Sequence, residues 1–185
     1  LVMEGEQPEL DRTIVDKLSH PMVHMIRNSV DHGIEPIHER KAAGKPPQGT
    51  ILLRAYHSAG CIVIQIKDDG RGLNREKLIE KAIERGIILS DQIPSSDQEI
   101  FSYIFQPGFS TAAQVTSISG RGVGMDVVRR NIEELRGKID IASTVGVGTT
   151  FTLTLPLTLA VIDGQVVRVG EDKYIIPINN IRRSF

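Results

Sequence analysis

The chain has 185 residues, 40% of them hydrophobic, so it can bury a core without disulfide or metal staples. Its 22 Lys and Arg residues balance 23 Asp and Glu residues, and the net charge of −1 argues against a nucleic-acid partner. The single cysteine, Cys61, excludes an intrachain disulfide, and no apolar run approaches the roughly 18 residues of a membrane span, so we expect a cytoplasmic protein without membrane insertion.

Periodicity and capping signals predict an alternation of helices and strands. In chain order these are a strand over residues 1–4, helices over 11–18, 21–33 and 36–43, a hairpin of strands 49–57 and 61–67, helices over 76–85 and 97–105, a helix over 124–136, a second hairpin of strands 138–144 and 149–155, and strands over 159–169 and 173–178. Pro21 predicts a new helix start, because proline suits the first turn of a helix. Residues 107–122 are rich in Gly, Ser and Thr and are predicted to form a flexible, lid-like loop.

The helix predicted over residues 21–33 separates apolar from polar side chains. Its apolar side consists of Met22, Met25, Ile26 and Val30, and its polar stripe consists of His24, Asn28, Asp31 and His32. Such a stripe most often simply faces water. Its short side chains are nevertheless suited to chemistry, because the amide oxygen of Asn28 is a hard ligand for Mg²⁺ and the imidazole of His24 can accept a proton.

A second motif, Asp68-x-Gly70-x-Gly72, stands at the end of an apolar strand. An ordinary Asp-Gly turn would account for it. A carboxylate at a strand end can also accept a hydrogen bond from an exocyclic amine, and the two glycines allow a flat ring to approach the backbone closely.

A third motif, Gly120-x-Gly122-x-Gly124, leads directly into a predicted helix. The unpaired N–H groups and the positive dipole end of a helix N-terminus favour an anion. A Walker loop is excluded because no Gly-Lys-Ser/Thr follows, and a dinucleotide-binding fold is disfavoured because a loop, not a strand, precedes the glycines.

The order of these motifs is more specific than any one of them. The sequence His24-x-x-x-Asn28-x-x-Asp31 on a helix, then the Asp68 motif, a loop, the glycine-rich helix start and Gly148-Thr149-Thr150-Phe151 resembles the ATP-binding domain shared by histidine kinases, DNA gyrase, mismatch-repair and heat-shock chaperone ATPases, the GHKL superfamily. This resemblance implies an α+β fold of the Bergerat type, a two-layer α/β sandwich with a mixed, mostly antiparallel sheet and helices on one face.

Three segments are similar in their local amino-acid sequence, as well as in their order, to the chemotaxis histidine kinases of the CheA family. They are residues 24–36, 105–111 and 119–128. The resemblance implies that residues 1–156 are an ATP-binding domain whose N-terminal part is truncated, and that residues 157–185 are a linker and the first strands of an SH3-like, CheW-type regulatory domain. The implied activity is that of a sensor histidine kinase, transferring the γ-phosphoryl group of ATP to a histidine on a separate phosphotransfer domain.

The resemblance also implies roles for individual residues, with ATP and Mg²⁺ as the cofactors. Asp68 would bind the adenine amine, with Gly72 and Thr150 lining the base pocket, and Asn28 would hold Mg²⁺. His24 would contact the metal and triphosphate and assist proton removal from the incoming histidine. Further nucleotide contacts are assigned to Asp31, His32, Gly70, Lys77, Ser110, Thr111, Gly120, Gly122, Gly124 and Met125. For Lys77 a solvated cationic helix face is an equal alternative.

Two other function classes stay open at this point. One is a gyrase- or chaperone-type hydrolase, against which the resemblance argues because those proteins carry a Glu where this chain carries His24. The other is a nucleotide-binding adaptor without catalysis. The kinase interpretation implies four partners: the phosphoacceptor histidine domain, a CheW-like coupling protein, chemoreceptors and a response regulator. It further implies a monomeric fragment of a homodimeric full-length kinase.

Overall fold

The structure, a computed structural model, describes residues 1–5, 12–109, 124–156, 164–170 and 172–177. Its helices are α1 (Arg12–Asn28), α2 (Ile37–Ala42), α3 (Arg75–Glu84), α4 (Asp97–Ser102) and α5 (Met125–Glu134), with a π-helical turn at Ser29–Gly33 and a 3₁₀ turn at Tyr103–Phe105. Its strands are β1 (Val2–Gly5), β2 (Ile51–Ser58), β3 (Cys61–Asp68), β4 (Lys138–Thr144), β5 (Gly148–Pro156), β6 (Gly164–Val169) and β7 (Asp172–Pro177). None of the described helices is both long and apolar enough to cross a membrane.

Five strands form one sheet in the order β1-β2-β3-β5-β4. β1 runs parallel to β2, and the other neighbouring pairs are antiparallel. Ala59 and Gly60, with φ angles of 48° and 75°, form the two-residue turn between β2 and β3, a geometry that matches the twist of paired strands. The mixed, mostly antiparallel sheet and both predicted hairpins are confirmed.

The core lies on one face of this sheet. Alternate strand positions are buried there: Ile62, Ile64, Ile66, Phe151, Leu153 and Leu155. The helices cover this face with buried residues of their own: Met25, Ala82, Ile100, Val128 and Ile132. The intervening positions of β5 are threonines, and on this opposite face Gln65 Nε2 donates to Thr152 Oγ1 at 3.5 Å. Since each buried aliphatic side chain contributes roughly 1.5–3 kcal/mol, this one-sided pattern accounts for the two-layer α+β fold.

The predicted helix break before Pro21 is wrong. One helix, α1, runs from Arg12 through Pro21 to Asn28. Proline removes a backbone hydrogen bond from a helix interior. Leu18, Pro21 and Met25 are all buried, however, and their spacing places them on one face. Packing of that face against the core therefore outweighs the local cost of the proline.

The remaining helices agree with the sequence to within a few residues. Asn74 caps α3, because its side-chain oxygen accepts a hydrogen bond from the backbone N–H of Lys77 at 2.8 Å. The helix predicted over residues 97–105 divides into α4 and the 3₁₀ turn. Most of the predicted lid, from residue 110 onward, lies outside the described residues.

Strands β6 and β7 form an antiparallel hairpin in a sheet of their own. This matches the two strands that the sequence predicts after residue 158. The assignment of residues 157–185 to a linker and a regulatory domain, and of residues 1–156 to the ATP-binding domain, stays a prediction.

Candidate functional site

Asp68 is the last residue of β3, and it points into the core face with a 2% exposed side chain. Its Oδ1 accepts hydrogen bonds from the backbone N–H groups of Gly70 at 3.0 Å and Thr149 at 3.1 Å. Its Oδ2 accepts one from Ser29 Oγ at 3.2 Å. The carboxylate is therefore fixed from three separate segments of the chain.

Among the described residues these contacts fill three of the acceptor positions of the Asp68 carboxylate. A carboxylate oxygen accepts about two hydrogen bonds, so Oδ1 is saturated and Oδ2 has one position left. Gly33 lies beside that atom: a Cβ added to Gly33 would come within 3.3 Å of Oδ2. The absence of a side chain at residue 33 thus leaves room next to the oxygen that can still accept a donor.

Burial is the main influence on the Asp68 carboxyl, and it raises its pKa above the ordinary value. The hydrogen bonds from Gly70, Thr149 and Ser29 oppose this rise, and the neighbouring charge of Asp69 adds to it. An additional donor on Oδ2 would favour the ionised form further, so an incoming amine and the ionised carboxylate would stabilise each other.

Ser29 is a contact that the sequence analysis did not identify. It begins the π-helical turn that continues α1, in which the Ile34 N–H bonds to the Ser29 carbonyl at 2.8 Å. π-Helical turns occur frequently at functional sites. Because Ser29 follows Asn28 directly, this turn joins the polar stripe of α1 to the carboxylate on β3.

Asn28 and His24 meet the start of α5. Asn28 Nδ2 lies 3.0 Å from the Met125 sulfur, so the polar stripe of α1 and the residue after Gly124 are neighbours. No described hydrogen bond occupies the amide oxygen of Asn28. Met125 is the first residue of α5, whose first N–H groups have no partner within the helix.

His24 lies one turn before Asn28 and is partly buried. Burial is the largest influence on its pKa and lowers it; the nearby charges of His20 and Arg27 lower it further, while Asp126 opposes them. The imidazole is therefore neutral at pH 7, with a nitrogen lone pair available to a proton or a metal.

The glycines of the Asp68 motif approach other backbone segments closely. A Cβ on Gly70 would overlap the carbonyl of Gly33, and a Cβ on Gly72, which has φ of 72°, would overlap the carbonyl of Thr144. These contacts give each glycine a packing role of its own. Their predicted role in admitting a flat ring stays a prediction.

Thr149, rather than the predicted Thr150, is brought to Asp68. Successive strand residues face opposite sides of a sheet. Thr150 pairs with Lys67 on the polar side, whereas Thr149 shares the core side with Phe151 and Asp68. Thr149 is therefore the residue of β5 that contacts Asp68, and the predicted role of Thr150 in lining the base pocket stays a prediction.

Three other predicted contacts are exposed in the structure. Asp31 and His32 lie in the π-helical turn with exposed side chains, and Lys77 is exposed in the first turn of α3. No described contact joins Lys77 to His24 or Asn28. Ser110, Thr111, Gly120 and Gly122 lie outside the described residues.

The sequence analysis did not identify a buried charge cluster that includes Asp69, the residue after Asp68. Arg40 of α2 is 1% exposed and forms ion pairs with Glu35 at 3.0 Å and Asp69 at 2.9 Å, while Lys45 pairs with Glu35 at 2.7 Å. Burial alone would raise the pKa of Glu35, but the hydrogen bond from Lys45 and the nearby cations hold it below its ordinary value. Nothing in the sequence distinguishes these side chains from exposed charges on a short polar helix.

The described side chains could hold a magnesium ion only if a bound ligand supplied most of the other oxygen atoms around it. Among the described residues no group of three or more His, Cys, Asp and Glu side chains could hold a metal by itself. Mg²⁺ in nucleotide sites commonly takes one or two protein oxygens and completes its shell with phosphates and waters. The amide oxygen of Asn28, with no described partner, fits that arrangement.

The family model for histidine kinase-, DNA gyrase B- and HSP90-like ATPases matches residues 15–159. The chain belongs to this family. The match includes Asn28, Asp68 and Thr149, so the residues around the carboxylate lie within the part of the chain that the family model covers. The matched range also contains most of α1, which carries His24 and Asn28 of the predicted polar stripe, and α5, which follows Gly124.

Within this family the chain is similar to chemotaxis proteins. Chemotaxis protein CheA of Cereibacter sphaeroides is 53% identical over 181 residues, which is 98% of this chain and 26% of that protein. Sensor histidine kinase CheAY of Helicobacter pylori is 53% identical over 182 residues, 98% of this chain and 23% of that protein. The chain thus spans about a quarter of the length of these relatives, and the resemblance to chemotaxis kinases is confirmed.

Solved structures support the fold. The blue-light activated histidine kinase of Erythrobacter litoralis EL346 matches with a TM-score of 0.51 and 14% identity, over 84% of this chain and 34% of that one. The nucleotide-free catalytic domain of histidine kinase ThkA matches with a TM-score of 0.50 and 19% identity, over 85% of this chain and 79% of that domain. The predicted GHKL fold is confirmed.

Proposed function

We propose that this chain is the ATP-binding catalytic domain of a chemotaxis sensor histidine kinase of the CheA type. It would transfer the γ-phosphoryl group of ATP to a histidine on a separate phosphotransfer domain. The observation that carries the proposal is the Asp68 carboxylate, buried and held by three donors, with one acceptor position left on Oδ2 beside Gly33. That position matches the exocyclic amine of adenine.

We call Asp68, Ser29, Gly33, Gly70 and Thr149 the base end of the site, and His24, Asn28, Gly124 and Met125 the phosphate end. The two ends are adjacent along the chain at Asn28 and Ser29, so a nucleotide held by its base would direct its phosphates toward α5. The N–H groups at the start of α5 would then favour the negative charge of the phosphates.

Mg²⁺ would be held by the amide oxygen of Asn28 together with the triphosphate, and when bound it would neutralise charge on the transferring group. The chain's own contribution is mainly positioning, because phosphoryl transfer needs little covalent chemistry from the protein. His24, neutral at pH 7, would accept the proton that the incoming imidazole loses. Asp31, His32 and Lys77 are proposed to contact the ribose or phosphates as their side chains reorient.

The partners belong to the same proposal. They are the phosphoacceptor histidine domain, a response regulator, and, through the full-length protein, a CheW-like coupling protein and chemoreceptors. We also propose that the full-length kinase is a cytoplasmic homodimer, whereas this chain alone is a monomer. The similarity of the chain to CheA and CheAY proteins over nearly its whole length supports these partners.

Calorimetry with a non-hydrolysable ATP analogue and Mg²⁺ tests the site. Asp68→Asn is expected to weaken binding by about 100-fold, because an amide nitrogen would face the N–H donors or the adenine amine. Asp91→Asn, the same change at an exposed position, should leave affinity unchanged. Absence of binding by the wild-type chain would exclude the proposal.

Transfer of ³²P from ATP to a CheA-type phosphotransfer domain supplied in trans tests the kinase activity. The hydrolase alternative predicts phosphate release without an acceptor and its loss in His24→Ala. Tight ATP binding without transfer or hydrolysis would instead support the adaptor.

A further inference from the structure

The buried charge cluster, Glu35, Arg40, Lys45 and Asp69, is attached to one side of the base end. All three nitrogens of the Arg40 guanidinium donate hydrogen bonds. Besides its two ion pairs, its Nε donates to the Pro46 carbonyl at 2.8 Å and its Nη1 to the Asp69 carbonyl at 3.2 Å. Lys45 Nζ donates to the carbonyls of Asp69 and Gly70, each at 2.8 Å.

Two cations therefore converge on one peptide group. The backbone carbonyl oxygen of Asp69 accepts hydrogen bonds from both Arg40 and Lys45. The N–H of the same peptide group belongs to Gly70, and it donates to Asp68 Oδ1 at 3.0 Å. Positive charge on the carbonyl oxygen polarises a peptide and strengthens the hydrogen bond that its N–H donates.

The carboxylate of Asp69 fixes the other side of the same turn. Its Oδ2 pairs with Arg40, and its Oδ1 accepts a hydrogen bond from the backbone N–H of Thr50 at 2.8 Å, just before β2. The peptide between Asp69 and Gly70 thus has no freedom to rotate without breaking several bonds to buried charges.

We propose that Arg40 and Lys45 are positioning residues for base recognition, acting through the Asp69–Gly70 peptide to hold the Asp68 carboxylate toward the exocyclic amine. The inference rests on the proposed ATP-binding function and goes beyond it, because neither cation lies at the carboxylate itself. A purely structural cluster would stabilise the fold and affect all nucleotides equally. A positioning cluster affects recognition of the amine in particular.

The test compares ADP with inosine diphosphate, which carries a carbonyl oxygen where adenine carries the amine. The variant is Lys45→Met, because Lys45 is 15% exposed and its loss leaves the Arg40 pairs in place. Lys41→Met, the same change at an exposed position near the end of α2, is the matched control. Both dissociation constants are measured by calorimetry with Mg²⁺, and the fold of each variant is checked by circular dichroism.

Lys45→Met is expected to weaken ADP binding about tenfold, the size of one charge-assisted hydrogen bond, and to change inosine diphosphate binding less than twofold. Lys41→Met should change neither. Equal weakening of both nucleotides, or no change in either, would overturn the inference while leaving the ATP site intact. Failure of the wild-type chain to bind ADP would overturn the proposed function and this inference with it. If Lys45→Met does not fold, Lys45→Gln carries the same comparison.

Discussion

The base end and the phosphate end of the site differ in how much of their hydrogen bonding the protein itself completes. Asp68 is 2% exposed and is held by three donors before any ligand arrives. Asn28 and His24 are only partly buried, and the one described side-chain hydrogen bond of Asn28 is to a methionine sulfur. The base end is preorganised, whereas under the proposed function the phosphate end would be completed by the nucleotide and the metal. Specificity for adenine and catalysis should therefore respond to different substitutions.

The largest expected effect is on the scaffold of the base end. Arg40→Met leaves the buried carboxylate of Glu35 with one cation and Asp69 with none, and should lower the free energy of unfolding by about 3–5 kcal/mol. Arg71→Met removes an exposed ion pair with Glu39 at 3.4 Å and should change the free energy of unfolding by less than about 0.5 kcal/mol. Urea unfolding of both variants checks this, and equal losses would contradict the special status of the buried cluster.

The next effect separates the two ends. Asn28→Ala should reduce phosphoryl transfer in trans by about 100-fold, because the proposed metal contact is lost. Its affinity for adenosine, which has no phosphates, should stay within about twofold of wild type. Asn131→Ala, an amide change within α5, is the control for general effects on this region. A parallel loss of adenosine binding in Asn28→Ala would show that the ends are not separable.

Gly33→Ala should have the opposite effect to Asn28→Ala: it should weaken adenosine binding and leave triphosphate binding unchanged. The new methyl group would stand about 3.3 Å from Asp68 Oδ2 and crowd the vacant acceptor position. Adenosine affinity is expected to fall about tenfold, since the carboxylate cannot move without lengthening its bonds. Binding of Mg²⁺ and inorganic triphosphate, measured by competition with a fluorescent nucleotide, should not change. Unchanged adenosine affinity would place the base elsewhere.

The smallest effect near neutral pH is a pH dependence confined to the base end. The pKa of Asp68 is raised, and the ionised form is the one that accepts the amine, so adenosine binding should weaken as pH falls through that pKa. The decline begins above about pH 4, the ordinary value for Asp, and approaches tenfold per unit. Inosine, which offers an acceptor instead of an amine, should not weaken in this way. Calorimetry with both nucleosides from pH 7 to pH 4.5 distinguishes them.

Most of the fold could be predicted because its signals are local. The alternation of Ile62, Ile64 and Ile66 specifies a strand with one buried face, and the same alternation recurs in β5. Pro21 was misjudged because local propensity was weighed without the packing partner. Whether a proline is tolerated within a helix depends on what its buried face contacts, and that contact comes from distant segments.

The site was predictable in its residue types and less so in its contacts. The motifs predict Asp68, Asn28 and the start of α5 as members of one site, and the structure places Asn28 beside α5 and its neighbour Ser29 beside Asp68. Thr149 could have been found by counting back from buried Phe151 in steps of two, since both face the core. Ser29 and Arg40 gave no such signal, because a hydroxyl or a guanidinium takes its role from partners that lie 39 and 29 residues away in the chain.

The hydrogen bond from the Thr149 N–H to Asp68 joins residues 81 positions apart, across the pairing of β3 with β5. The hairpins β2–β3 and β4–β5 each close through neighbouring segments, so they can form early, but this pairing must bring together the two halves of the chain. We expect this pairing to form after the hairpins, and the hydrogen bond between Thr149 and Asp68 can form only with it. Bound nucleotide should therefore slow unfolding in proportion to its concentration and leave the folding rate unchanged, as stopped-flow mixing with urea would measure. In a cell, bound ATP would therefore lengthen the time that the domain stays folded, and it would not change how fast the domain folds.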